Sequence, residues 1–316
     1  MKRSLMILRA VVVLACIVGI IMIVQFGKKA GLFGRPRIPP PPDYSALMKI
    51  DPELMIYEEL EPMPFEMENA TGLAVGRDGK IYVCGEKLIV LDLDGKQMSE
   101  IALESPAYSV TADEEGVIYL CVGDHVEVYE KTGEMRAAWD SAGKDAVLGT
   151  ALVKGDTVYV SDVGSHALLW YDKDGEIQGR DNDYVVFGSR NIGLTLDHTG
   201  ALWAVNPGRL GLRKYGKEME PVTELRRPGR PIDRFSGCCN PQHVVARKDG
   251  ALVTSEKNVI RVKVLDQQGE LVGVVAGPEE LKDMEKAPPI AVTPDDRVLI
   301  LDAGKKLVRV FGEKSV

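Results

Sequence analysis

Residues 72–85 read Gly-Leu-Ala-Val-Gly-Arg-Asp-Gly-Lys-Ile-Tyr-Val-Cys-Gly, and the same fourteen-position pattern returns five more times along the chain. The copies start at Gly72, Ser109, Gly149, Gly193, His243 and Pro289, spaced 37, 40, 44, 50 and 46 residues apart, and they align without gaps. The tenth position is Ile81, Ile118, Val158, Leu202, Leu252 or Val298, and the next is Tyr82, Tyr119, Tyr159, Trp203, Val253 or Leu299. Aliphatic, β-branched and aromatic residues in that register suit a pleated surface buried on both faces. Just before them stand Gly79, Gly116, Gly200 and Gly250, with Asp156 and Asp296 in the other two copies. Such residues permit a tight turn between two strands. A third apolar run follows each unit, as in Leu88-Ile89-Val90-Leu91-Asp92, and a glycine turn (Gly95, Gly133, Gly175, Gly269) often closes it. Short antiparallel strands repeated at this period predict an all-β fold, a six-bladed β-propeller. The sixth copy runs out near Phe311, with too few residues left for a fourth strand. The extended segment Met55–Phe65 belongs to no other blade, so it is expected to pair with blade six and cover its open edge.

The core Gly-x-Ala-Val-x-x-x-Gly-x-Ile-Tyr-Val, followed by an Asp-Gly-turned hairpin, resembles the NHL repeat over about residues 54–314. That resemblance implies the fold and assigns no activity, because NHL-like propellers include scaffolds, ligand-binding domains and a few enzymes. The segment Gly237-Cys238-Cys239-Asn240-Pro241, with Thr254-Ser255-Glu256-Lys257 after it, is similar to stretches in bacterial, membrane-anchored members. No activity comes with that second resemblance.

Ahead of the repeats, residues 10–26 read AVVVLACIVGIIMIVQF, without a charge. Extended back to Leu5, the run reaches the roughly 20 apolar residues that a membrane-crossing helix needs. Val13-Leu14-Ala15-Cys16 resembles a lipoprotein cleavage box, but ten more mainly apolar residues follow it, which favours a retained signal anchor. Lys2, Arg3 and Arg9 precede the core and Lys28, Lys29, Arg35 and Arg37 follow it, so the positive-inside count alone does not orient it. A short basic head before a large folded domain favours export of that domain. Arg35-Pro36-Arg37-Ile38-Pro39-Pro40-Pro41-Pro42 then predicts a stiff polyproline spacer. The expected organisation is an anchor over residues 1–27, a basic and proline-rich tether over 28–50, and the propeller over 51–316. The expected location is the cytoplasmic membrane, contacted through residues 5–26, with the propeller on the periplasmic side.

The net charge of −8 conceals an asymmetry, since residues 1–42 carry seven basic side chains and no acidic one, leaving −15 for the rest. A body that acidic repels a phosphate backbone and argues against a nucleic-acid partner. No GxSxG elbow, HExxH motif or phosphate loop occurs, which speaks against the common hydrolase classes.

Candidate site residues follow from the repeat. In a propeller, the residues just before each first strand ring one mouth of the central channel. Three positions before each repeat start stand Asn69, Pro106, Ala146, Arg190, Asn240 and Lys286. Blades four, five, six and one thus offer a polar arc, and Cys238 and Cys239 lie on it. Cations beside adjacent thiols are expected to lower their pKa. His243, four residues on, would be a third ligand if the pair held a metal, although two Cys and one His are incomplete for structural zinc. The competing reading is that Gly237 and Pro241 shape a turn in which small cysteines pack. Cys84 and Cys121 share one repeat position and are expected in the core. Asp162, Asn206, Glu256 and Asp302 share the end of the second strand, which points to turn hydrogen bonding. Glu256, next to Lys257 in the cysteine blade, is kept with the rim group. The arginines at 226, 227, 230 and 234 form an insertion that is either an anion-binding patch or a solvated loop.

The reading is a binding or scaffold module for an envelope protein complex or a small ligand, and not an enzyme in the first instance. The alternative is a redox or metal-dependent accessory protein using Cys238 and Cys239. A lyase-like propeller with a channel metal is a third possibility, and it would require several carboxylate or imidazole ligands converging on the channel.

Overall fold

The computed structural model describes residues 2–29, 48–183 and 192–315, and within the N-terminal helix the side chains of 12–26. The chain divides into two compact units, Met1–Asp43 and Tyr44–Val316. The division falls inside the segment read as tether. Arg190 lies outside the described residues, as does the proline-rich segment 35–42.

In the first unit a single helix spans Lys2–Lys29. Its apolar side chains from Val12 to Phe26 are mostly exposed. Among the described residues, no helix is long and apolar enough to cross a membrane.

In the second unit the repeat becomes six antiparallel sheets. Blade one is built from Gly72–Val75, Ile81–Cys84, Lys87–Leu91 and Gln97–Ala102. Blades two to five repeat that four-stranded order, and blade five consists of His243–Ala246, Leu252–Glu256, Arg261–Leu265 and Leu271–Ala276. The first strands neighbour one another in sequence order, and that of blade six meets that of blade one, so the ring is closed. Second strands are buried along all or most of their length, as in Ile81–Cys84, while the outer strand Gln97–Ala102 faces solvent along most of its length and that of blade five, Leu271–Ala276, is mostly buried. The recurring turn glycines take left-handed backbone, with φ of +80° at Gly79, +83° at Gly116, +77° at Gly200 and +86° at Gly250. Asp296 matches them in blade six at +64°. In blade three the role falls to Gly155 at +55° and not to Asp156, because Lys154 pairs directly with Thr157 across a two-residue turn.

Cohesion comes from apolar layers between blades. Tyr82, Leu88, Val110 and Leu120 join blades one and two. Tyr119, Trp139 and Tyr171 join blades two and three, with ring centroids 6.0 and 5.1 Å apart. Blade six supplies only Ile290–Val292, Val298–Asp302 and Leu307–Glu313. Its outer strand comes from the other end of the chain, as Tyr57, Glu58 and Glu59 pair with Glu313, Gly312 and Phe311. Met63 and Pro64 then pair with Val308 and Leu307. Arg309 grips the Glu59 carboxylate with two bonds of 2.6 Å, and Met63, Phe65 and Met67 enter the layer between blades six and one. The edge expected to be covered by the N-terminal segment is covered by it.

Candidate functional site at the channel mouth

The six first strands enclose a central cavity of about 240 Å³. Its lining is mainly aliphatic and hydroxyl-bearing, including Leu73, Val110, Thr111, Leu194, Val244 and Ile290. Among the described residues, Arg77, Tyr108 and His243 are its only ionisable lining residues, and none is a carboxylate. Arg77 is paired with Glu114. A second cavity of about 450 Å³ lies between Ala70–Thr71 and the loop 283–289, and it shares Thr71, Tyr108 and Pro289 with the channel. It therefore opens at the end where the chain enters each first strand.

The loop that enters blade five, residues 227–242, is held by groups that sequence reading undervalued. Glu256 is fully buried, and its carboxylate accepts from Arg261 at 2.9 and 3.0 Å and pairs with Lys263 at 2.9 Å. Arg261 and Lys263 are buried as well, and they donate onward into the loop. Arg261 reaches the Arg234 carbonyl at 2.7 Å, while Lys263 reaches the Ile232 and Arg234 carbonyls at 2.9 and 2.7 Å. The Lys263 ammonium also lies 4.5 Å from the centre of the buried Phe235 ring. Burial pushes Lys263 down to about 8, with Glu256 opposing it. Glu256 is thus a structural anion of the blade interior and not a group facing the mouth. Two of its counterparts behave as turn residues, Asp162 accepting from the backbone of Val147, Gly164 and Ser165 and Asp302 from Lys305, whereas the Asn206 amide donates to the Glu224 carboxylate at 3.3 Å. Two of the four insertion arginines are also taken up locally, Arg227 by Glu270 and Arg234 by Asp233.

Beyond this anchor the loop turns outward. Gly237 has φ +74° and Cys239 has φ +61°, which together lift Cys238 into solvent and leave Cys239 half-buried. Asn240, offered by the repeat tally as a rim ligand, points inward and is fully buried. Its amide donates to the Ser236 and Lys257 carbonyls at 2.7 and 3.0 Å, and its oxygen accepts from Lys257 N–H at 2.9 Å. Gln242 caps the Cys239 carbonyl. The peptide between Asn240 and Pro241 is cis.

The cysteine electrostatics differ from expectation. The Cys239 thiol is pushed up, first by burial, with Lys257 opposing and Cys238 adding to the rise. Lys257, and not Lys286, is the cation that acts on Cys239. It lies in the turn between the second and third strands, which opens at the same end as the entry loop, and that signal was available in the sequence. Lys286 is exposed and lines the second cavity, while Asn69 is exposed and bonded to Glu86 at 3.4 Å. Among the described residues no three His, Cys, Asp or Glu side chains converge to hold a metal ion, so Cys238, Cys239 and His243 form no ligand set. His243 instead lines the channel, with Nε2 shut off from solvent and without a hydrogen-bond partner among the described residues. Burial lowers its pKa to about 4, and a hydrogen bond to the Ala287 backbone pulls the other way. Cys84 and Cys121 are buried as expected, and burial drives both thiols up to about 12.

Fold and mouth together define a six-bladed β-propeller whose channel has small apolar walls. Several solved propellers are similar to it. A streptogramin B lyase matches at 14% identity and TM-score 0.57, over 83% of this chain and 99% of that one. A virginiamycin B lyase from Staphylococcus aureus matches at 14% and 0.56, over 82% and 99%. The WD40 propeller domain of Doa1 matches at 10% and 0.57, over 78% and 79%. At such identities the likeness is one of fold. No protein-family model and no curated protein matches the chain.

Proposed function

We propose that the chain is an NHL-type propeller tethered to the cytoplasmic membrane through residues 5–26, carried on the periplasmic side, and used as a binding or scaffold module. Its occupant is an envelope protein or a small ligand seated at the mouth that opens beside Lys286. The observation that carries the binding reading is the lining of that mouth. Among the described residues, aliphatic and hydroxyl side chains dominate a cavity of about 240 Å³ whose ionisable lining is Arg77, Tyr108 and His243, beside a second cavity of about 450 Å³ that adds Asp283, Glu285, Lys286 and Asp302. Concave, mostly apolar surfaces with a few polar groups suit recognition. Acid–base or metal-assisted chemistry needs converging ionisable groups, and among the described residues no three His, Cys, Asp or Glu side chains converge to hold a metal ion. The tether is supported by the sequence alone, since residues 5–26 carry only one charge, Arg9.

Cys238 is a built-in reporter of topology, because it is exposed while Cys84 and Cys121 are buried. A membrane-impermeant maleimide should label intact spheroplasts making the full chain, and Cys238→Ser should remove most of that label. Labelling only after lysis would overturn the periplasmic assignment. Photo-crosslinking side chains placed at Met284 and Lys286 should give a discrete adduct in cells, and one at Asp156, at the opposite end of the blades, should not. Equal adducts from both ends, or none from the mouth, would remove the binding reading.

A further inference from the structure

Cys238 and Cys239 are unlike the other cysteines of the propeller. Cys84 and Cys121 are sealed in the blades, whereas Cys238 is exposed, Cys239 is half-buried, and the two are consecutive in the chain. Their backbone is held on both sides. Ser236 and Asn240 are buried and bonded to each other, Asn240 is bonded twice to Lys257, and Gln242 holds the Cys239 carbonyl. Upstream, the Arg234 carbonyl is pinned by both Arg261 and Lys263. A rigid mount that presents two adjacent thiols, one outward and one behind it, is the arrangement that thiol–disulfide exchange uses: an accessible sulfur to attack and a second to resolve.

We propose that Cys238 and Cys239 form a reversible exchange site for an accessible disulfide, with Cys238 attacking and Cys239 resolving. In the first step the Cys238 sulfur loses its proton and bonds to one sulfur of the incoming disulfide. The S–S bond of that disulfide breaks, and one half leaves as a thiol carrying the proton. In the second step Cys239 loses its proton and attacks Cys238, which expels the other half as a thiol. Two electrons and two protons have then passed to the incoming disulfide, and Cys238 and Cys239 are joined. The division of roles follows exposure, since Cys238 alone is open to an approaching molecule. Consecutive Cα atoms across a trans peptide are about 3.8 Å apart, closer than the roughly 4.4–6.8 Å of ordinary disulfides. Strained disulfides are readily reduced, so the joined state takes two electrons back easily from a thiol donor such as glutathione and the site is regenerated. This inference stands apart from whatever occupies the channel mouth, and it requires no metal.

The test uses the full chain in detergent with Cys16→Ala, treated with a single equivalent of 4,4′-dithiodipyridine. Two thiopyridones should be released per protein, the mass should fall by two hydrogens, and no pyridyl adduct should remain. Glutathione should then restore both thiols. Cys239→Ser should release one thiopyridone and keep the adduct, and Cys238→Ser should react at least about ten-fold more slowly, in line with thiol exposure. The Cys16→Ala protein decides the matter even if either serine variant fails to fold. A persistent adduct there, or separate adducts on both cysteines, would overturn the proposal.

Discussion

His243 opens the first strand of blade five, where the other copies have Gly72, Ser109, Gly149, Gly193 and Pro289. An imidazole at this position meets the channel and the loop entering blade six, and the price of burying its charge shows in a pKa of about 4. The unfolded value is near 6.5, so between pH 6.5 and 4 the unfolded chain binds more protons than the folded one. The sign is therefore fixed: this contribution to stability is complete above pH 6.5 and is lost as pH falls toward 4. At its limit the loss is about 3 kcal/mol. Urea midpoints measured from pH 7 to pH 4 should fall less steeply for His243→Gln than for the parent, and parallel curves would refute the assignment. The same residue marks what the sequence could convey. Its repeat position placed it at the channel, and the vicinal thiols were visible as a pair. The inward turn of Asn240 was not visible, because residues 227–242 are an insertion outside the repeat and their side-chain directions follow loop backbone that no periodicity encodes.

At the scale of one blade, the hairpin register explains why Glu256 differs from its repeat counterparts. Asp162, Asn206 and Asp302 stand opposite Ala167, Gly211 and Leu307, while Glu256 stands opposite Arg261. A cation directly across the hairpin, with Lys263 two residues on, converts a turn-capping position into a buried charge cluster. The pairing could have been read from the spacing of Glu256 and Arg261 around the turn. The burial could not, because it is the insertion that covers the cluster. Removing one member of such a cluster leaves uncompensated buried charge and typically costs about 3–5 kcal/mol. Glu256→Ala should therefore lower the denaturation midpoint by that order, with an outer-strand control such as Val222→Ala near neutral. Replacing all three charges, as Glu256→Leu with Arg261→Met and Lys263→Met, should recover much of the stability. It should still speed amide exchange at residues 232–240, because the Ile232 and Arg234 carbonyls lose their donors. Unchanged exchange there in the triple variant would show that the cluster does not hold the loop.

For the molecule as a whole, six repeats of one hairpin pattern dictate a ring, and a ring of antiparallel blades leaves one edge to cover. The strand count was legible because the tight-turn and buried-strand positions recur in every copy. The closure was legible because blade six runs out of chain while Met55–Phe65 has no other blade to join. In the structure that segment does more than cover an edge. Tyr57, Met63 and Phe65 are each at most 4% exposed, and Glu59 holds Arg309 through two bonds of 2.6 Å. Burying a large apolar side chain stabilises by about 1.5–3 kcal/mol, so losing three of them approaches the whole stability of a typical domain, about 5–15 kcal/mol. Deleting residues 48–66 while keeping the helix and tether should abolish cooperative thermal unfolding or lower the Tm drastically. Glu59→Lys sets a second cation against Arg309 without removing the strand, so it should lower the Tm by a few degrees and leave the fold intact. Adding the segment 48–66 as a separate peptide should restore part of the lost stability in proportion to its concentration, as binding to the folded state requires. A deletion variant that melts at the parental temperature would mean that blade six is stable with its outer edge open, and the closure account would then fail.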